Sequence, residues 1–270
     1  MKPTTKWIIT VILLQSFVVF GYSQAPENPP KSDVIQIFPG TKSRKDFKFH
    51  FSGHYKEKSI KASDGVTLNA LLFKTDSAKG VIFYLHGNTG DLTKWGKIAK
   101  VYTDLHYDLF MIDYRGYGKS EGSIKNEKQL YSDLQTAYDS VRSIYLENKI
   151  IILGYSIGTG SAAMLAAYNH PGKLILQAPY YSLADAINHL APSIDTTGLP
   201  FFFKTYHFLP KVACPIIIFH GDSDKEFYYG SSEKLKVFFK PGDELVILRG
   251  AGHTKMEENK EYLESLKRVL

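Results

Sequence analysis

Short unbroken apolar runs alternate with helix-spaced segments along most of this chain, and that alternation restricts its fold more than any other feature. The runs fall at residues 81–85, 109–112, 150–153, 174–177, 216–219 and 245–248. A strand that is apolar throughout must be covered on both faces, which is the habit of parallel sheets flanked by helices. Helical spacing occupies about 92–105, 127–145, 157–168, 231–239 and 256–270. In the second of these, Leu130, Leu134, Ala137, Tyr138, Val141 and Ile144 share one face. Ahead of them, residues 56–62 and 66–73 flank Ser63-Asp64-Gly65, a hairpin signal. The expected architecture is α/β, with a mostly parallel sheet and helices on both sides. Ligands of such sheets sit beyond the carboxyl ends of the strands, so the loops that follow strands hold the candidate chemistry.

At 270 residues and 44% hydrophobic content, the chain can build one large core. Its net charge of +6 is spread out, apart from a mild cluster between Lys42 and Lys61. That cluster reads as a solvated surface, and no nucleic-acid motif accompanies it. The single cysteine, Cys214, stands beside Pro215 at the start of an apolar run and reads as a buried structural thiol. There is no CxxC pair and no HExxH, so no metal site is indicated.

The N-terminus has the layout of a secretory leader: a basic start, an apolar run at 7–20, and small residues at Gly21 and Ser23. We expect a signal peptide over 1–23 and an exported protein, periplasmic or secreted. The alternative is an uncleaved anchor holding the chain to a membrane. Residues 24–55 then form a linker, proline-bearing at 25–33, and an N-terminal segment. The main domain spans 56–270, with one long connection at about 180–210. A structureless loop of that length is improbable in a compact domain, so a small cap over the strand ends is expected. Phe201, Phe202, Phe203, Tyr206 and Phe208 in it leave two readings open, an acyl-chain surface over the site or packing of the cap itself.

The strand at 150–153 runs into Gly154-Tyr155-Ser156-Ile157-Gly158, and a helix of small residues follows. A serine hydroxyl holds its proton and reacts only with a base in reach and an orienting group behind that base. Glycines either side of Ser156 allow a strand-to-helix turn tight enough to project it, the nucleophile-elbow pattern. The Ile157 amide, at a helix N-terminus, is a candidate oxyanion donor. A second belongs on the loop Leu85-His86-Gly87-Asn88-Thr89-Gly90, with the Asn88 amide favoured. His86 reads as a brace for that loop. The base is expected late, at His253 in Gly250-Ala251-Gly252-His253. The acid is expected after the strand at 216–219, where Asp222 and Asp224 both qualify.

With these residues in place, the chain resembles the α/β-hydrolases over about 56–270. The motifs LHGNTGD, DYRGYGKSEG, GYSIGTGSA, APYYSL, CPIIIFHGDSD and GAGH stand in that family's order. The closest resemblance is to the branch of membrane-associated lipases, lysophospholipid lipases and protein depalmitoylases, with simple esterases nearby. The resemblance implies that Asp224 is the acid, giving the order Ser156, Asp224, His253. It puts the second oxyanion amide on Asn88 and makes Asp113, Arg115 and Gly116 structural. It implies no metal or organic cofactor and a carboxylic ester, acyl-lipid or thioester substrate. Peptidase or amidase chemistry on the same fold, or a binding protein that retains the fold, are the alternatives. The family usually follows its acid with a short apolar pair and proline, whereas Lys225-Glu226-Phe227 stands here.

Overall fold

Among the described residues, eight strands hydrogen-bond into one sheet: β1 (His54–Lys61), β2 (Thr67–Lys74), β3 (Gly80–Leu85), β4 (Tyr107–Ile112), β5 (Ile150–Tyr155), β6 (Lys173–Gln177), β7 (Ile216–Gly221) and β8 (Glu244–Leu248). The computed structural model describes residues 37–197 and 199–270, so the expected leader and the linker at 25–33 lie outside the described residues. The strand order is β1-β2-β4-β3-β5-β6-β7-β8. β2 runs antiparallel to both of its neighbours, β1 and β4; every pairing from β4 to β8 is parallel. The expected hairpin is β1–β2, and each of the six apolar runs lies within a strand.

Helices α1 (Leu92–Trp95), α2 (Ala99–Thr103), α3 (Glu127–Arg142), α4 (Gly158–Tyr168), α5 (Leu183–Leu190), α6 (Thr205–Phe208), α7 (Gly230–Leu235) and α8 (Lys260–Val269) cover the sheet. The pleat divides each central strand between two cores. Val81, Phe83 and Leu85 of β3 join Ile150 and Ile152 of β5, Leu134 and Tyr138 of α3, and Leu165 of α4. The intervening Ile82, Tyr84, Ile151 and Leu153 join Trp95, Tyr102 and, from α8, Tyr262 and Leu266. Alternate residues of one strand thus serve opposite layers, which is why β3 and β5 carry no charged position. At the edge, β1 carries Lys56, Glu57, Lys58 and Lys61, and such charges discourage pairing with another chain.

The helix expected over about 92–105 is broken. A 3₁₀ turn at Gly96–Ile98 separates α1 from α2. A Cβ on Gly96 would lie 2.4 Å from the Phe51 ring, so the chain narrows there to admit a side chain from the N-terminal segment. That segment packs on the domain from Ile37 onward. Phe38 meets Phe201 and Phe203 at centroid distances of 5.5 and 5.8 Å, and Lys42 bridges to Gly118.

The long connection after β6 contains α5 and α6. Its aromatic stretch is fastened by Glu127, whose carboxylate accepts from the Phe202 and Phe203 amides at 2.9 Å each. Phe201 and Phe203 stack on each other at 5.3 Å and are buried. Phe208 packs edge-on to Tyr131, and Tyr206 stacks on Tyr181. Phe201, Phe203, Tyr206 and Phe208 thus pack against neighbouring rings, while Phe202 is exposed.

Candidate active site

Ser156 sits between β5 and α4 with φ at +54°, in the left-handed region that side chains other than glycine rarely occupy. The strain falls on the serine, and the flanking glycines supply clearance. A Cβ on Gly154 would lie 2.7 Å from the Ala162 side chain. One on Gly158 would lie 2.3 Å from the Leu85 carbonyl oxygen. Nothing larger than hydrogen fits at either position, so the helix can start directly against the ends of β3 and β5. The turn is held by the Ser156 amide donating to Gln177 O at 2.9 Å and by Thr159 Oγ1 donating to Ser156 O at 2.6 Å.

Three side chains from three strand ends meet there. His253 Nε2 is 2.8 Å from Ser156 Oγ, and His253 Nδ1 is 2.7 Å from Asp224 Oδ2. All three residues are buried. A carboxylate only accepts, so Nδ1 carries the proton and Nε2 presents its lone pair to the serine hydroxyl. The histidine loop reaches the acid strand because Gly221 has no side chain; a Cβ there would lie 2.2 Å from Ala251 O. Tyr155 Oη donates to His253 O at 2.9 Å, tying that loop to the residue before the serine.

Asp224 is held on both oxygens. Its Oδ1 accepts from the Glu226 and Phe227 amides at 2.8 and 2.9 Å. Its Oδ2 also faces His220 Nε2 at 3.3 Å. Burial by itself would raise this carboxyl, but His220 and His253 outweigh it and hold the pKa well below the usual carboxylate range. Asp222 takes a different part: its exposed carboxylate accepts from the Gly250 amide at 2.7 Å and braces the histidine loop. Of the two acids that the residues alone left open, Asp224 faces His253. His220 was not singled out from the sequence, where it reads as one more strand residue. Its Nε2–H points at Phe227 O at 2.7 Å as well as at Asp224, and its Nδ1 meets Ser232 Oγ at 2.6 Å.

The loop after β3 is fixed through its carbonyls. Tyr114 Oη donates to His86 O at 2.8 Å, His86 Nδ1 to Gly87 O at 2.7 Å, Tyr117 Oη to Asn88 O at 2.7 Å, and Trp95 Nε1 to Thr89 O at 2.9 Å. Four successive carbonyls are thereby engaged by ring side chains. The loop hydrogen bonds among the described residues leave the Asn88 and Ile157 amides without a main-chain acceptor. Both residues line the cleft that holds Ser156. Fixed, unengaged amides beside a serine are what an oxyanion site requires.

His86 makes no hydrogen bond to Ser156, Asp224 or His253 among the described residues; it braces the loop, with its ring stacked near Trp95 and tilted against Tyr114. Burial pushes its pKa from the usual 6.5 down to about 4. Between those values the unfolded chain binds a proton that the native chain does not. This group therefore supports the fold fully above pH 6.5, and its support is lost as pH falls toward 4, by ~3 kcal/mol in all. We expect His86→Phe, which keeps a ring in the stack, to flatten the fall in stability between pH 7 and 4.5 by roughly 2 kcal/mol. Urea unfolding at the two pH values measures it; an unchanged pH slope would reject the assignment.

Asp113, Arg115 and Gly116 hold the loop after β4. Asp113 Oδ1 accepts from the Leu92 amide at 2.9 Å. Arg115 is buried between Asp64 in the hairpin turn and Asp133 on α3. Cys214 is half-buried, and burial raises its thiol to about 11, which removes it as a nucleophile at neutral pH.

The cleft beside Ser156 is apolar. Leu183, Ala186, Ile187 and Leu190 of α5 form one wall, and Ile37 and Phe227 close it, with Glu226 the charged group at its edge. None of Phe201, Phe202 and Phe203 lines it. The α5 positions follow helical spacing, a signal present in the sequence but overshadowed by the neighbouring aromatics.

Residues 76–206 match the family described as Serine aminopeptidase, S33. Alpha/beta hydrolase domain-containing protein 17B of Homo sapiens is 31% identical over 200 residues, which is 72% of this chain and 67% of that protein. Alpha/beta hydrolase domain-containing protein aho-3 of Caenorhabditis elegans is 32% identical over 196 residues, 69% of this chain and 56% of that one. The Pyrococcus furiosus esterase Pf2001 superposes with a TM-score of 0.67 at 17% identity, covering 81% of this chain and 90% of that one. Est1E from Butyrivibrio proteoclasticus, seen with ferulic acid bound, gives 0.61 at 21% identity, with 78% and 95% covered. At such low identity the solved structures speak for the fold alone. The sequence relatives add descent to the shared architecture: the chain belongs to the α/β-hydrolase family.

Proposed function

We propose that this protein is a serine hydrolase that cleaves carboxylic esters through an acyl-enzyme. One observation carries the reading: a serine strained at positive φ, with its Oγ 2.8 Å from a histidine that an aspartate orients at 2.7 Å. His253 Nε2 takes the proton of Ser156 Oγ as the oxygen attacks the substrate carbonyl. The Asn88 and Ile157 amides stabilise the tetrahedral oxyanion, and Asp224 stabilises the imidazolium that forms. His253 then protonates the leaving alcohol. Water, activated by the same nitrogen, attacks the acyl-enzyme and releases the acid. A fluorophosphonate probe tests the nucleophile directly. Labelling of the wild type and none of Ser156→Ala is the expected result. Equal labelling of both, or none of folded wild type, would remove the reading.

The α5 wall accepts an apolar chain. Each buried methylene is worth ~0.8 kcal/mol, so esters should improve with chain length until the cleft is filled. Leu190 is half-exposed at the mouth of the cleft, so Leu190→Gln will not disturb the core. We expect it to lower kcat/KM for p-nitrophenyl octanoate by about tenfold and for the acetate by less than about twofold. Phe202→Ser, on an outward-facing ring, should leave the ratio unchanged. Equal losses for both esters in Leu190→Gln would separate the cleft from acyl binding.

A further inference from the structure

Glu226 stands where the family resemblance implies an apolar residue, and the fold turns it into the cleft beside Ser156. Its Oε2 is buried and has no hydrogen-bond partner among the described residues. The same oxygen lies 3.4 Å from His253 Nε2, one contact removed from the nucleophile. In the resting tautomer that nitrogen offers a lone pair, so it gives the carboxylate nothing to accept. Lys94, whose charge also reaches Glu226, has its ammonium over the Trp95 ring and bonded to Thr89 Oγ1. Asp224, the other nearby acid, repels it. Burial raises the Glu226 pKa, and His253 draws it back only when its imidazole is protonated. The Glu226 side chain is about a quarter exposed, so the unfavourable part is the buried Oε2, which no donor among the described residues satisfies. An incoming cation would supply both the missing charge and the missing donors.

Building on the serine-hydrolase reading, we propose that Glu226 is a specificity-determining residue that selects substrates carrying an ammonium group within a few bonds of the scissile carbonyl. The apolar remainder of such a substrate lies along α5. The ammonium donates to Glu226 Oε2 while the carbonyl carbon faces Ser156 Oγ. The ammonium can belong to the acyl part or to the alcohol part; the chemistry is the same, and the test separates the two.

The test uses two pairs of near-isosteric esters. 2-(Dimethylamino)ethyl butyrate, which carries one N–H when protonated, against 3-methylbutyl butyrate places the charge on the alcohol side. Ethyl 2-aminobutyrate against ethyl 2-methylbutyrate places it on the acyl side. Hydrolysis is followed by titration at about pH 6.5, where the amine is protonated. Binding of all four is measured by calorimetry on the Ser156→Ala protein with and without Glu226→Gln. Because each comparison is a ratio within a pair, any effect of the substitution on His253 cancels. We expect the charged member of at least one pair to be preferred by about tenfold or more, in kcat/KM and in binding, roughly the worth of one charge-assisted hydrogen bond. Glu226→Gln and Glu226→Leu should both abolish the preference. Equal handling of charged and neutral members by the wild type, absence of binding by the charged members, or a preference that survives in Glu226→Gln would overturn the proposal. Ester turnover that depends on Ser156 but ignores charge would overturn it and leave the hydrolase reading standing. Charge-selective binding without turnover would do the reverse.

Discussion

Ser156→Ala is expected to lower kcat for a p-nitrophenyl ester by about 10⁶-fold while the protein stays folded. The fold should survive because Ser156 Oγ has a single hydrogen-bond partner among the described residues, His253 Nε2. The hydrogen bonds that shape the turn go instead through its main chain and Thr159. Alanine keeps the Cβ, so the positive φ costs the variant what it costs the wild type, and the melting temperature should barely move. The rate falls so far because the nucleophile, base and acid act as a unit. Once the oxygen is gone, His253 has no proton to take and Asp224 has no imidazolium to stabilise. His253→Ala added to Ser156→Ala should therefore cost almost nothing further. Stopped assays with excess purified protein read the difference. Residual activity within tenfold of the wild type would sink the assignment.

How far the sequence foretold this site depends on whether the cause is local. The elbow was legible because its requirements lie within five residues: a strand that ends, two positions without side chains and a helix that begins. The parallel sheet was legible because strands buried on both faces leave an uninterrupted apolar mark. Gly96 shows where local reading stops. The spacing there reads as one continuous helix, but Phe51, 45 residues earlier in the chain, needs the space above it. The aromatics of the long connection show the same limit. The eye goes to Phe201, Phe202 and Phe203, yet two of these are buried against Phe38 and each other, while α5 faces the serine. Which layer an aromatic joins is decided by partners distant in sequence. Asp222 and Asp224 illustrate the limit within a single loop. Both follow β7, and only the return of the histidine loop over Gly221 gives one of them the imidazole and the other a backbone amide.

That division sets the second large effect. Asp224→Asn should reduce kcat by about 10⁴-fold, and Asp222→Asn by less than about tenfold. The asymmetry follows from where donors and acceptors must go. Two amides, from Glu226 and Phe227, point at Asp224 Oδ1, so an asparagine must place its oxygen there. Its NH₂ group then occupies the position of Oδ2, facing His253 Nδ1 and the Nε2–H of His220. Donor meets donor at His220, whose proton is fixed by Phe227 O, so the side chain cannot escape by rotating that ring. At His253 the only favourable response is to move the proton from Nδ1 to Nε2. The nitrogen that should accept from Ser156 becomes a donor, and the serine loses its base while every heavy atom stays near its place. Asp222→Asn keeps an oxygen for the Gly250 amide and changes no tautomer. Proton NMR of the imidazole N–H resonances checks the cause independently of the rate, since the low-field signal of a His253 Nδ1–H bound to a carboxylate should vanish in Asp224→Asn and persist in Asp222→Asn. If Asp222→Asn proved the more damaging change, the acid role would pass to Asp222, and the 2.7 Å contact between Asp224 and His253 would have to be read as structural.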